Sequence, residues 1–170
     1  MLIQYRQLDP HLHETVYLSP GACVIGKVTV GASSSIWFGS VVRGDVAPIS
    51  IGNGVNIQDG TIIHTSRFDG PTNIGNYVTI GHRAVIHACT LKDYAFIGMG
   101  AIVMDRAVVE SYGFVAAGAV VSPGKIVKSK QLWAGVPAKY VRDVTDDEIS
   151  MIEESAKHYM RLAEHYIGRN

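Results

Sequence analysis

The stretch VVRGDVAPISIGNGVNIQDGTIIHTSRFDGPTNIGNYVTIGHRAVIHA, residues Val41 to Ala88, decides the fold. Aliphatic residues fall in it at Val42, then at Ile51, Ile57 and Ile63, then at Ile74, Ile80 and Ile86, six apart within each run. Three extra residues separate the first run from the second, and five the second from the third. The same spacing extends backward through Ile36, Val30 and Val24 to Leu18. Forward, after one deletion, it passes through Leu91, Ile97, Val103, Val109, Val115 and Val121 to Val127. Two residues before most of these positions stands a small side chain, among them Ala22, Ser40, Thr61, Ala84, Cys89, Ala95, Ala101 and Ala107. Both sets must point inward.

A six-residue phase of this kind describes an all-β solenoid, a parallel β-helix of hexapeptides with three short strands per coil. A triangular prism needs a large aliphatic residue on its axis, a small one beside it and a tight corner every six residues. Glycines following the axis residue, as in Ile51-Gly52, Ile80-Gly81 and Ile97-Gly98, suit those corners. Eighteen aliphatic positions at three per coil predict six coils, stacked about 4.8 Å apart. An antiparallel sandwich accounts for local alternation but not for the constant phase.

The chain reads as a single domain over 1–170, with the β-helix at about 17–130, a linker at 131–144 and a C-terminal α-helix at 145–168. Residues 1–16 show no clean period and read as a lead-in or cap. The linker contains the Gly and Pro segment QLWAGVPAK, Gln131 to Lys139. Thr145 and Glu148 form a capping box at the start of the helix. Ile149, Ile152, Ala156, Tyr159, Ala163, Tyr166 and Ile167 then give it one apolar stripe, suited to packing along the prism or on a neighbouring subunit.

Composition narrows the partners. The 170 residues hold 15 Lys and Arg against 15 Asp and Glu, so no basic footprint for nucleic acid or an anionic membrane is present. No apolar run has the length of a membrane span, and the N-terminus lacks a signal-peptide pattern, so the expected compartment is the cytoplasm. Cys23 and Cys89 make no disulfide framework. Trp37 and Trp133 read as gap fillers, and His11, His13, His158 and His165 as solvated.

The repeat also serves as a ruler. Val42, Ile63 and Ile86 lie on one face in successive coils, so the residues after them, Arg43, His64 and His87, form one outward column. Ile57 and Ile80 are likewise stacked, so Asp59 and His82, each two residues on, form a second column near a corner. Two neutral imidazoles one rung apart can share a zinc-sized ion. His82 belongs to another face, so a third ligand must come from a neighbour, and a threefold homotrimer closes every site in this way. The same arrangement brings the Arg43 column toward the neighbour's Asp59. Arg43, Asp45 and Asp59 read as interface residues, while Gln58 suits an interface hydrogen bond or a catalytic role equally.

At these residues the chain resembles the γ-class carbonic anhydrase family. The matching motifs are Arg43-Gly44-Asp45, Asn56-Ile57-Gln58-Asp59-Gly60, His64, and His82 with His87 five residues on. The resemblance covers nearly the whole chain. It implies a left-handed β-helix, as in other hexapeptide proteins, assembled as a homotrimer with a metal at each subunit interface, usually Zn2+ and in some members Fe2+ or Co2+. It implies that His64 and His87 of one subunit and His82 of the next are the ligands, and that Gln58 and Asn56 lie beside the activated water or substrate. The implied reaction is the reversible hydration of carbon dioxide to bicarbonate. The chain departs from the family's best-characterised type in carrying Val46-Ala47-Pro48 where that type has an acidic residue. Its loop from Thr65 to Asn73 offers only Asp69, so the proton relay is missing or different. Tyr159 is a further candidate polar group, with core packing as its other role. The alternatives from other classes are a hexapeptide acyltransferase, an acyl-CoA thioesterase, and a non-catalytic metal-binding assembly protein.

Overall fold

The computed structural model describes residues 1–168; the last two residues of the 1–170 reading lie outside the described residues. The chain forms a left-handed parallel β-helix of about seven turns followed by one helix, α1 (Asp146–Ile167). Three columns of axis residues define three faces. Val24, Val42, Ile63, Ile86, Val103 and Val121 occupy the first, and strand register carries each onto the next. Val30, Ile51, Ile74, Leu91, Val109 and Val127 occupy the second. Leu18, Ile36, Ile57, Ile80, Ile97 and Val115 occupy the third.

The axis residues from Val24 to Val127 are buried, and so are the small partners Ala22, Ser34, Ser40, Thr61, Ala84, Ala95, Ala101, Ala107 and Ala119. Three of the polar ones are also satisfied. Ser34, Ser40 and Thr61 donate their hydroxyls to Gly52 O, Gln58 O and Gly81 O of the following coil, at 2.9, 2.9 and 3.0 Å. The small inward position thus fills the corner of the prism and, where it is Ser or Thr, ties one coil to the next.

The solenoid is one coil longer than the six expected. Leu2 pairs with Val24 and Leu12 with Val30, so residues taken as a lead-in form the first coil with Leu18. At the other end Trp133 pairs with Val115 and continues the third face. The 131–144 linker is therefore structured: Gln131–Ala134 extends the sheet, and Lys139–Asp143 folds back on it antiparallel. Solenoid strands therefore run past about 17–130 at both ends, where Leu12 lacks a small partner two residues before it and Trp133 replaces an aliphatic residue.

The glycines after axis residues serve contact more than corner dihedrals. A Cβ on Gly98 would lie 2.4 Å from Ala117 N, and one on Gly52 2.6 Å from Gly75 O, both backbone atoms of the next coil. The left-handed corner positions fall elsewhere, for example at Gly60 (φ 70°) and at Arg83 (φ 58°) one coil on.

Thr145 caps α1, with the reciprocal bonds of a capping box to Glu148, and Gly168 closes it in the left-handed region. Its stripe packs along the third face of the same chain. Ile152, Ala156 and Ala163 are buried, Tyr159 meets Trp37 edge-on at 5.5 Å, and Tyr166 meets it at 5.3 Å. No helix among the described residues is long and apolar enough to cross a membrane.

Candidate metal centre

Register places His64 directly beside His87 on neighbouring strands of the first face. Both leave the prism one residue after a buried axis isoleucine, so strand alternation turns them outward. Their rings are 5.2 Å apart between centroids, and His64 Nδ1 stands 3.2 Å from His87 Nε2.

The opposite nitrogens are engaged. His64 Nε2 meets Asp45 Oδ1 at 2.9 Å, and His87 Nδ1 meets Asp105 Oδ1 at 3.0 Å. A carboxylate only accepts, so each of those ring nitrogens carries the proton. With the protons placed there, the two nitrogens that face one another present lone pairs, an arrangement a metal ion could bridge. Two nitrogen ligands about 2.0–2.1 Å from a tetrahedral ion stand about 3.3 Å apart. The spacing of this pair fits that requirement, and a carboxylate behind each imidazole is the usual way a ligating ring is aimed.

Asp45 receives a second partner, the guanidinium of Arg43, within the same chain. Burial pushes the Asp45 carboxyl up, but the hydrogen bonds from His64 and Arg43 and the charge of Arg43 outweigh it and hold the group below its ordinary value. Asp45 is therefore an anion aimed at His64.

His82 projects from the corner after Gly81 on the third face. Its Nδ1 meets Asp59 Oδ2 at 2.8 Å, which leaves Nε2 as the ring nitrogen with its lone pair available. Within one chain, among the described residues, no group of three His, Cys, Asp or Glu side chains is placed to hold a metal ion. The fold thus brings together His64, His87, Asp45 and Asp105, and keeps His82 and Asp59 as a separate pair.

A polar chain runs inward from the His82 side. Gln58 donates through Nε2 to Asn56 Oδ1 at 3.0 Å, and Asn56 donates through Nδ2 to Thr79 Oγ1 at 2.9 Å. Thr79 in turn lies 3.2 Å from Ser155 Oγ on α1. All of Asn56, Gln58 and Thr79 are buried, so the network fixes the direction in which the Gln58 amide oxygen points. Tyr159 is half-buried against Trp37; its hydroxyl is pushed up by burial and by the charge of Asp59, which puts it on the Asp59–His82 side. Asp69, the carboxylate of the Thr65–Asn73 loop, is paired with Arg106 and accepts from Ser66.

Asp105 is the residue that the sequence reading missed. It lies 18 residues after His87, one full coil on, and two residues after the axis Val103, the same offset that places Asp59 after Ile57 and His82 after Ile80.

The chain is 48% identical over 167 residues to γ-carbonic anhydrase 2, mitochondrial, of Arabidopsis thaliana, covering 95% of this chain and 60% of that one. It is 39% identical over 166 residues to the carbonic anhydrase of Geobacillus kaustophilus, covering 98% of this chain and 91% of that protein. The chain belongs to the γ-carbonic anhydrase family. It spans about three-fifths of the length of the plant member. Among solved structures, a hexapeptide transferase family protein from Anaplasma phagocytophilum superposes with a TM-score of 0.94 at 48% identity, covering 97% of each chain. No family model matches the chain.

Proposed function

We propose that this protein is a carbonic anhydrase, a homotrimer that interconverts carbon dioxide and bicarbonate at metal sites between its copies. Each site would take His64 and His87 from one copy and His82 from the next, with Zn2+ as the first candidate and Fe2+ or Co2+ after it. The observation that carries the reading is the pair of facing imidazole nitrogens 3.2 Å apart, each ring anchored by a carboxylate. When bound, such an ion lowers the pKa of a water molecule from about 15.7 to about 7 and so supplies the nucleophile at neutral pH.

The chain's own groups do the rest. Asp45, Asp59 and Asp105 hold the three rings in the tautomer that offers the correct nitrogen. Gln58, fixed by Asn56, presents its amide oxygen beside His82 to orient substrate or water, with Tyr159 as a second polar group on that side. Proton transfer has to leave by another route than acidic residues, because Val46-Ala47-Pro48 offers none and Asp69 is occupied by Arg106. Turnover should accordingly rise with buffer concentration.

Assembly is supported by what the three faces show. The third face lies under α1, and the second begins with outward Thr29, Ser50, Asn73 and Thr90. The first carries an outward aliphatic column, Val41, Ile62, Val85, Ile102 and Val120, with Ile62 39% exposed. An uncovered apolar strip beside a half-built ligand set suits a second copy. Arg43, half-exposed at the edge of that strip, can then face Asp59 of the next copy. The compartment belongs to the same reading: cytoplasm from the sequence, although the plant relative is named mitochondrial. Acyl transfer, suggested by the name of the Anaplasma protein, needs one base histidine and leaves the paired carboxylate-anchored rings unexplained.

Metal analysis of protein purified without added zinc should find about one ion per chain, and stopped-flow hydration of carbon dioxide should show turnover. His82→Ala should strip the metal although His64 and His87 are intact, and mixing it with His64→Ala chains should restore a fraction of sites. Full metal content in His82→Ala would overturn the shared site.

A further inference from the structure

We propose that the loop Thr65–Asn73 of one copy seats Phe68 in an apolar groove beside His82 of a second copy, closing over the shared site. The inference rests on the subunit arrangement proposed above.

Phe68 is 90% exposed, yet the loop that carries it is pinned. Ser66 and Gly70 exchange backbone bonds, at 3.2 and 3.1 Å. Ser66 Oγ accepts from Phe68 N and Asp69 N, at 3.3 and 3.0 Å, and Asp69 is tied to Arg106. A single exposed phenylalanine needs no explanation by itself. One held out on a braced turn, four residues after His64 and anchored to the residue after Asp105, stands at the edge of the metal position.

The groove has a volume of about 290 Å3 and is lined by Phe96, Phe114, Met99 and Ala117, with Gln58 and His82 at its polar end. That is enough for one aromatic side chain. Phe96 and Phe114 lie 4.7 Å apart and Met99 is 59% exposed, so the groove is apolar and open. The loop's own chain cannot fill it, because the loop leaves the corner after the first face while the groove lies on the third, across the prism.

In a second copy the heights agree. The loop starts on the Ile63 coil and is tied to Arg106 on the Val103 coil, spanning the coils of Ile63, Ile86 and Val103. The groove spans the coils of Ile80, Ile97 and Val115, which are the same three coils seen on the third face. When His82 of one copy meets His64 and His87 of the other, loop and groove lie side by side. Charge agrees as well: Arg67 precedes Phe68, and Asp59, with its side chain 43% exposed, pairs with His82 at the mouth of the groove.

The test uses the full chain with Phe68→Cys and Ala117→Cys together, treated with a short bis-maleimide and run under denaturing conditions. Because Cys23 is part-exposed while Cys89 is buried, the cross-link is made in a Cys23→Ser background, where covalent dimer and trimer bands are expected from the double variant and absent from either single variant and from the Cys23→Ser parent. Phe68→Ala should raise the trimer dissociation constant at least tenfold without changing the circular dichroism spectrum. A protein that sediments as a trimer but gives monomer bands alone, or in which Phe68→Ala leaves the dissociation constant unchanged, overturns the seat and leaves the shared metal site standing. A parent chain that sediments as a monomer overturns both.

Discussion

Asp105 carries the sharpest expectation for a single side chain. Its carboxylate accepts from His87 Nδ1 and so makes Nε2 the nitrogen that faces His64. Asp105→Asn can donate instead of accept, which removes the preference for that tautomer. Metal affinity should fall about 10- to 100-fold with the fold unchanged, as for other groups that orient metal-ligating histidines. Competition against a chelator measures it. Asp45→Asn should act in the same way on His64 and in addition leave Arg43 without its partner. The histidines could be read from the sequence because they follow axis residues at constant offsets. Asp105 follows the same ruler, but an aspartate two residues after Val103 next to Arg106 looks like any solvated corner. What gives it a role is the neighbouring coil.

The coils and the helix respond to different substitutions. Ile80 and Ile97 are fully buried on the third face, so Ile→Ala at either should cost about 2–5 kcal/mol by lost burial and a residual cavity. Denaturant titration reads this directly. Gly98→Ala has the opposite cause, because a Cβ there meets the Ala117 backbone at 2.4 Å and two coils must part. In α1, Glu148 completes the capping box and bonds Arg142 through two oxygens at 2.8 Å. Arg142 above all, with the Thr145 backbone bond, lowers its carboxyl to about 2. A folded-state value below the unfolded one means that the contribution is complete above about pH 4.5 and is lost as the pH falls toward 2. Glu148→Gln should remove this acid dependence, visible as a flatter profile of helix undocking monitored by Trp37 fluorescence. The capping box was legible as Thr145 and Glu148, three apart. The first and last coils were less so. Leu12 stands six before Leu18 and Trp133 six after Val127, in phase, but the missing small partners and a bulky aromatic hid them.

At the scale of the whole molecule the first face carries the test of the proposed trimer. Ile62→Asp puts a charge in the middle of the outward aliphatic column, and the chain should then sediment as a monomer with its circular dichroism intact and its metal lost. The interior of the prism does not sense this change, since Ile62 points away from the axis that Ile63 fills. The six-residue period and the capping signals were enough to specify the solenoid, the helix, the stacking of His64 on His87 and the placement of His82 on another face. They could do so because a coil of fixed length converts position along the chain into height and face, so that a one-dimensional period is already a map. The folded chain alone shows which nitrogen of each ring meets a carboxylate, that Asp105 stands behind His87, that Arg43 turns to Asp45, and that an open apolar groove lies beside His82. Those depend on side-chain directions and on contacts between coils many residues apart, and no period along the chain encodes them.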